Sequence, residues 1–177
     1  MRLLALSGSL RAASTNTAAL EALARLAPDG VEITLYRGLG ALPLFNPDDD
    51  EETPPSPVIS LRESVRSCDG LLLAAPEYAH GVPGAFKNAL DWLVASDVFP
   101  GKPVALINTA PRAFHAQSAL RETLATMSAR LVPEAFVALP LTGRNVDAAR
   151  IAADPRFAAA LRAGLDYFVE AIRGDAG

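Results

Sequence analysis

Leu3-Leu4-Ala5-Leu6-Ser7-Gly8-Ser9-Leu10-Arg11-Ala12-Ala13-Ser14-Thr15-Asn16-Thr17 is an apolar run, then a loop of small and hydroxyl-bearing residues. The segment that follows places Ala19, Ala22, Leu23 and Leu26 on one helical face. A short apolar run without alternation is what a strand covered on both faces requires, because neither side of it meets water. Strand, loop and helix in this order make the unit from which parallel sheets are wound.

The same unit recurs along the chain. Further apolar runs occupy residues 31–36, 70–75, 104–108 and 131–139. Between them, helical faces are marked by Val58, Leu61, Val65 and Cys68, by Phe86, Leu90 and Leu93, and by Leu120, Leu124, Met127 and Leu131. Phe157, Leu161, Leu165, Phe168 and Ile172 mark a last one. Ser56-Pro57 and Asp154-Pro155 each read as an N-cap followed by proline at the first helical position. Five strands alternating with five helices predict a three-layer, doubly wound α/β fold. The proline-rich stretch 43–57, with the acidic run Asp48-Asp49-Asp50-Glu51-Glu52, reads as a solvated surface loop, since like charges repel and stay wet. No internal repeat is visible, and 177 residues suit one domain spanning 1–177.

Composition narrows the function. Half the residues are hydrophobic and the net charge is −4, without a basic stripe, which argues against a nucleic-acid partner. The lone cysteine, Cys68, excludes an internal disulfide and a multi-cysteine metal site, and its place on an apolar helical face makes it a buried structural thiol. With only His80 and His115, a zinc site would need carboxylates at unusual spacing, so no metal is expected. The apolar run at the N-terminus is shorter than the ~7–15 residues of a secretory signal. No stretch approaches the ~20 apolar residues of a membrane span. The expectation is a soluble, cytoplasmic protein with no membrane partner.

In a doubly wound sheet, ligands sit beyond the carboxyl ends of the strands. The loop after the first strand offers Ser9, Ser14, Thr15 and Thr17 hydroxyls, the Asn16 amide, and the unpaired N–H groups of the next helix to an anion. Gly8 permits close backbone approach, and Arg11 presents a charged fork for phosphate oxygens. The G-x-G-x-x-G of dinucleotide folds and the G-K-[ST] of a P-loop are both missing, so a mononucleotide phosphate without magnesium suits the loop better. The alternative is that Ser14 or Thr15 is only an N-cap and Arg11 a surface charge.

After the third strand comes Pro76-Glu77-Tyr78-Ala79-His80-Gly81-Val82-Pro83-Gly84-Ala85-Phe86-Lys87-Asn88-Ala89-Leu90-Asp91-Trp92. A rigid turn of this kind can lay backbone amides along a flat heterocycle and tune its redox properties. The two segments together resemble the NADPH-dependent FMN reductase family, which includes quinone, chromate and azo-dye reductases. Gly8, Ser9, Arg11, Ser14 and Asn16 match its G-S-x-R-x-x-S-x-N motif. Pro76, Glu77, Tyr78, Pro83, Gly84, Lys87, Asn88, Ala89, Asp91 and Trp92 match P-E-Y-x-x-x-x-P-G-x-x-K-N-A-x-D-W. The resemblance runs from Met1 to about Ile172 and implies a flavodoxin-like three-layer α/β/α sandwich, with a five-stranded parallel sheet in the order 2-1-3-4-5.

It further implies FMN as cofactor, with NADPH or NADH as co-substrate. Ser9, Arg11, Ser14, Thr15 and Asn16 would hold the phosphate. Pro76, Glu77, Tyr78, Ala79, His80 and Gly81 would line the ribityl chain and isoalloxazine. Lys87, Asn88, Asp91 and Trp92 would fix the loop and subunit contacts in a homodimer or homotetramer. The flavin carries the hydride, so no catalytic side chain is expected. The acceptor would be a small molecule such as a quinone, azo compound, metal oxyanion or free flavin. A flavodoxin-type electron carrier working with protein partners is the alternative, and a fold-only binding protein a third. Two departures stand out. Ala79 replaces an asparagine common in relatives, and Thr109-Ala110-Pro111-Arg112-Ala113-Phe114-His115-Ala116 is bulkier and more charged than the usual glycine-rich fourth loop. His80 either contacts the ring or acceptor or simply lines the turn. Arg112 and His115 either bind acceptor or nicotinamide phosphate or begin a helix.

Overall fold

A computed structural model of the chain describes residues 1–51, 53–112, 114–141 and 146–174. Glu52 of the acidic run and Ala113 of the fourth loop lie outside the described residues. Parallel strands β1 (Arg2–Ser7), β2 (Glu32–Leu35), β3 (Gly70–Ala74), β4 (Pro103–Asn108) and β5 (Arg130–Leu131) form a sheet in the order β2-β1-β3-β4-β5, with β6 (Val137–Ala138) also on β4. The expected order is therefore observed. Leu3 is in register with Ile33 on one side and Gly70 on the other, and Leu71 with Val104.

The continuous apolar runs follow from this arrangement. Leu3, Ala5, Leu72, Ala74, Ala105 and Ile107 face helices α1 (Thr15–Arg25), α5 (Ala148–Ala153) and α6 (Pro155–Gly174). Their neighbours Leu4, Leu6, Leu71, Leu73, Val104 and Leu106 face α2 (Ser56–Arg66), α3 (Gly84–Val94) and α4 (His115–Thr126). Successive side chains point to opposite faces, so both parities must be apolar when both faces are covered.

Several expectations are corrected. The run 131–139 is not one strand. Its two ends pair with opposite ends of β4, and a 3₁₀ turn over Pro133–Ala135 separates them. Proline lacks the N–H a ladder needs, so the strand breaks there. Gly164 of α6 lies against the break, where a Cβ would come within 2.2 Å of Val137 Cγ2. Ser56 does not cap α2. It is the first helical residue, the cap position falls on Pro55, and no side chain bonds there. Asp154 does cap α6, its Oδ1 accepting from the Arg156 N–H at 3.0 Å. Cys68 lies just past the end of α2, buried in the same core, with its Sγ 3.2 Å from the Val65 carbonyl. Burial pushes its thiol pKa up. The short helix α5, capped by Asp147, has no counterpart in the sequence reading.

The described residues of the stretch 43–55, with a 3₁₀ turn at Pro47–Asp50, form a surface loop, but a fastened one, and 56–57 begin α2. Asn88 Nδ2 and Trp92 Nε1 both donate to the Pro43 carbonyl, and Asn88 Oδ1 accepts from the Phe45 N–H. Asp50 forms a two-pronged ion pair with Arg62, which also donates to the Trp92 carbonyl. Asn88 and Trp92 thus secure the loop after β2, and Lys87 pairs with Asp91 one turn away.

Candidate functional site

The site region lies where β1, β3 and β4 end. Gly8 continues β1 by donating to the Ala74 carbonyl at 2.8 Å. The close approach it permits is to the protein itself, because a Cβ there would sit 2.8 Å from Ala75 Cβ and 3.1 Å from Phe86 Cγ. Side-chain hydroxyls shape the loop that follows. Ser7 Oγ accepts from Thr17 Oγ1 at 2.8 Å, and Ser9 Oγ accepts from the Arg11 N–H at 3.4 Å. Ser14 caps α1, its Oγ accepting from the Thr17 N–H at 3.2 Å.

Among the described residues, the N–H groups of Ala12, Ala13, Ser14, Thr15 and Asn16 have no protein acceptor. They run into the N-terminus of α1, whose dipole favours an anion, and the Arg11 side chain is exposed beside them. This donor set suits a phosphate group.

The Asn16 side chain also joins two loops. It is 4% exposed, and its Oδ1 accepts from Thr109 Oγ1 at 3.0 Å, which ties α1 to the loop after β4. Thr15 Oγ1 lies 3.5 Å from the same hydroxyl. Thr109 stands in the sequence only as the first residue of the fourth loop, without this role. Its signal was a hydroxyl at the carboxyl end of an apolar strand.

The third loop contains a tight turn. The Tyr78 N–H donates to the Gly81 carbonyl at 3.1 Å and the Gly81 N–H to the Tyr78 carbonyl at 2.9 Å. The two residues between, Ala79 and His80, have φ of +49° and +61°. Left-handed backbone at both central positions is the geometry of a type I′ turn, which glycine and asparagine adopt most readily. Each non-glycine residue held there costs on the order of 1–2 kcal/mol.

Glu77 joins this loop to the fourth. Phe114, at the N-cap of α4, offers no side-chain acceptor, and Glu77 Oε2 accepts the Ala116 N–H at 2.9 Å instead. The His80 and His115 rings stack, so the third loop meets the departing fourth loop in space. His115 is the first residue of α4, and Arg112 is exposed just before it. Gln117, in the first turn of α4, buries a side-chain oxygen with no partner among the described residues. A glutamine in register with Leu120 and Leu124 was the signal for it.

The first and third loops share an open depression of about 350 Å³ lined by Gly8, Leu10, Arg11, Tyr78, Pro83, Gly84 and Ala85. Arg11 and the tyrosine-bearing turn therefore border one space. Trp92 and Phe86, by contrast, are fully buried in the core.

The sequence profile of the NADPH-dependent FMN reductases matches residues 1–143. The chain belongs to the NADPH-dependent FMN reductase family. An NAD(P)H-dependent FMN reductase from Pseudomonas aeruginosa is 39% identical over 129 residues, covering 70% of this chain and 69% of that relative. A quinone reductase from Pseudomonas putida is 36% identical over 140 residues, covering 73% and 74%. In three dimensions the chain is similar to FerB, a flavoenzyme NAD(P)H:(acceptor) oxidoreductase from Paracoccus denitrificans. The TM-score is 0.80 at 29% identity, with 98% and 97% of the two chains covered. A flavodoxin from Bacillus cereus shares the fold, with a TM-score of 0.62 at 18% identity. The family reductase is thus a flavin-dependent oxidoreductase on a flavodoxin-like sheet, with FMN as cofactor and a nicotinamide as co-substrate.

Proposed function

We propose that the chain folds as one FMN-binding domain over residues 1–177 and passes electrons from NAD(P)H to a small acceptor, a quinone being the best candidate. The observation that carries this reading is the row of unpaired N–H groups from Ala12 to Asn16, next to an Arg11 that itself lines a space shared with Tyr78. In this reading Ser9, Arg11, Ser14, Thr15 and Asn16 hold the FMN phosphate, with Ser14 and Asn16 contributing their backbone N–H groups. Pro76, Glu77, Tyr78, Ala79, His80 and Gly81 border the ribityl chain and ring. FMN, when bound, supplies a two-electron carrier between nicotinamide and acceptor. Reducing a quinone to a hydroquinone takes two electrons and two protons. The nicotinamide hydride accounts for both electrons and one proton, and solvent supplies the other proton.

The protein's part is positional. Glu77 keeps the third loop against the start of α4, and Thr109 keeps the start of α1 against the fourth loop, so the edges of the site hold a fixed spacing. The proposal includes a homodimer or homotetramer, supported by exposed Leu10 and Tyr78 at the rim, and light scattering at two or four times 18.6 kDa tests it. A cytoplasmic location is part of the same reading. Cell fractionation tests it.

The central test is an absorbance titration with FMN followed by anaerobic NADPH or NADH. Bound flavin that bleaches within seconds supports the reductase. Flavin that binds and stays oxidised turns the reading toward an electron carrier, and no binding removes the site.

A further inference from the structure

His80, His115 and Phe114 form an exposed run of three rings across the gap between the third and fourth loops. The imidazoles lie 4.3 Å apart and 12° from parallel, and Phe114 lies 4.0 Å from His115 at 32°. Phe114 is 61% exposed. Aromatic faces left in water at stacking distance make a surface on which a further flat ring gains both area burial and favourable π geometry.

The backbone supplies a second argument. His80 holds φ +61° at a turn position where glycine would be relaxed. Strain of this kind persists where its surroundings fix it, and it concentrates at ligand-handling sites. Here it displays an imidazole against His115. The third argument is position, because the same turn carries Tyr78, which lines the depression shared with Arg11.

We propose that the His80–His115–Phe114 stack is a docking platform for planar aromatic electron acceptors and selects them over non-aromatic ones. This rests on the flavin-reductase reading above. Specificity then lies in the third loop and the departing fourth loop, while the first loop holds the cofactor.

The test uses the full chain loaded with FMN, with Phe114→Ser and His115→Ala as variants. Phe114→Ser removes an exposed ring, and circular dichroism verifies the fold of both. The KM for 1,4-naphthoquinone is measured against the KM for ferricyanide, which has no ring to stack. Each variant is expected to raise the naphthoquinone-to-ferricyanide KM ratio about three- to tenfold. The dissociation constant of 2-naphthoate, a flat ring that takes up no electrons, is expected to rise by a similar factor. Folded variants in which both the KM ratio and naphthoate binding stay within twofold of the native protein overturn the platform and leave the cofactor reading intact. A native chain that takes up no FMN overturns the cofactor reading and the platform together.

Discussion

The first loop and the third loop border the same depression but are built by opposite means. The first consists of short hydroxyls and unpaired backbone N–H groups, with relaxed backbone and one exposed arginine. The third is a strained turn of two non-glycine residues, fixed from outside by the Glu77 bond to α4 and the His80 stack on His115. Backbone donors recognise what every phosphate offers, whatever is attached to it. Side-chain rings and a side-chain cap can be changed one residue at a time. The contrast separates a region suited to a constant ligand from one suited to a variable ligand.

That contrast can be broken or sharpened by substitution. The largest effect is expected from Arg11→Ala, which should weaken FMN binding by about 1.5–3 kcal/mol through loss of a charge-assisted bond. A fluorescence titration reads it, and unchanged affinity would take Arg11 out of the phosphate site. Gly8→Ala should lower stability by about 1–3 kcal/mol, because the added methyl meets Ala75 and Phe86 in the core. A urea midpoint equal to that of the native chain would contradict the tight packing. Glu77→Ala should cost about 1 kcal/mol by removing the acceptor at the start of α4, and it should loosen the fourth loop in hydrogen exchange. Ala79→Gly should act in the other direction, stabilising the fold by about 1 kcal/mol or less as the positive φ is relieved. A drop in melting temperature would show that the turn is not strained. The smallest effect is expected far from both loops. Cys68 is 7% exposed with a raised thiol pKa, so the native protein should react slowly with iodoacetamide at pH 8, and Cys68→Ser should leave turnover intact.

What could be read in advance follows a physical boundary. Strands buried on both faces leave a local signature, and residues 3–6, 70–75 and 104–108 carried it into the structure with little change. The fifth strand was overread because Val132, Val137 and Leu139 keep the run apolar, while the break is set by one missing N–H at Pro133. Helix α5 is rich in alanine and short, so it shows almost no periodic face. In the candidate site, the hydroxyls of the first loop and the two family motifs were legible because each lies within a dozen or so residues. The bonds that join the loops were not. Asn16 and Thr109 are 93 residues apart, Glu77 and Ala116 are 39 apart, and nothing in either neighbourhood announces the other. The close approach allowed by Gly8 was anticipated, but toward a ligand rather than toward Ala75 and Phe86.

The break in the fifth strand also bears on how the molecule behaves in a crowd. β5 and β6 form one border of the sheet, and an unbroken strand there would present a straight row of free amides and carbonyls to any neighbouring chain. Two-residue pieces separated by a proline turn offer no such template, and α6 packs tightly against the break at Gly164. The interruption that made this edge hard to read also removes a template for cross-strand pairing, and a protein carrying it is expected to refold cleanly at concentrations where a continuous edge would invite precipitation.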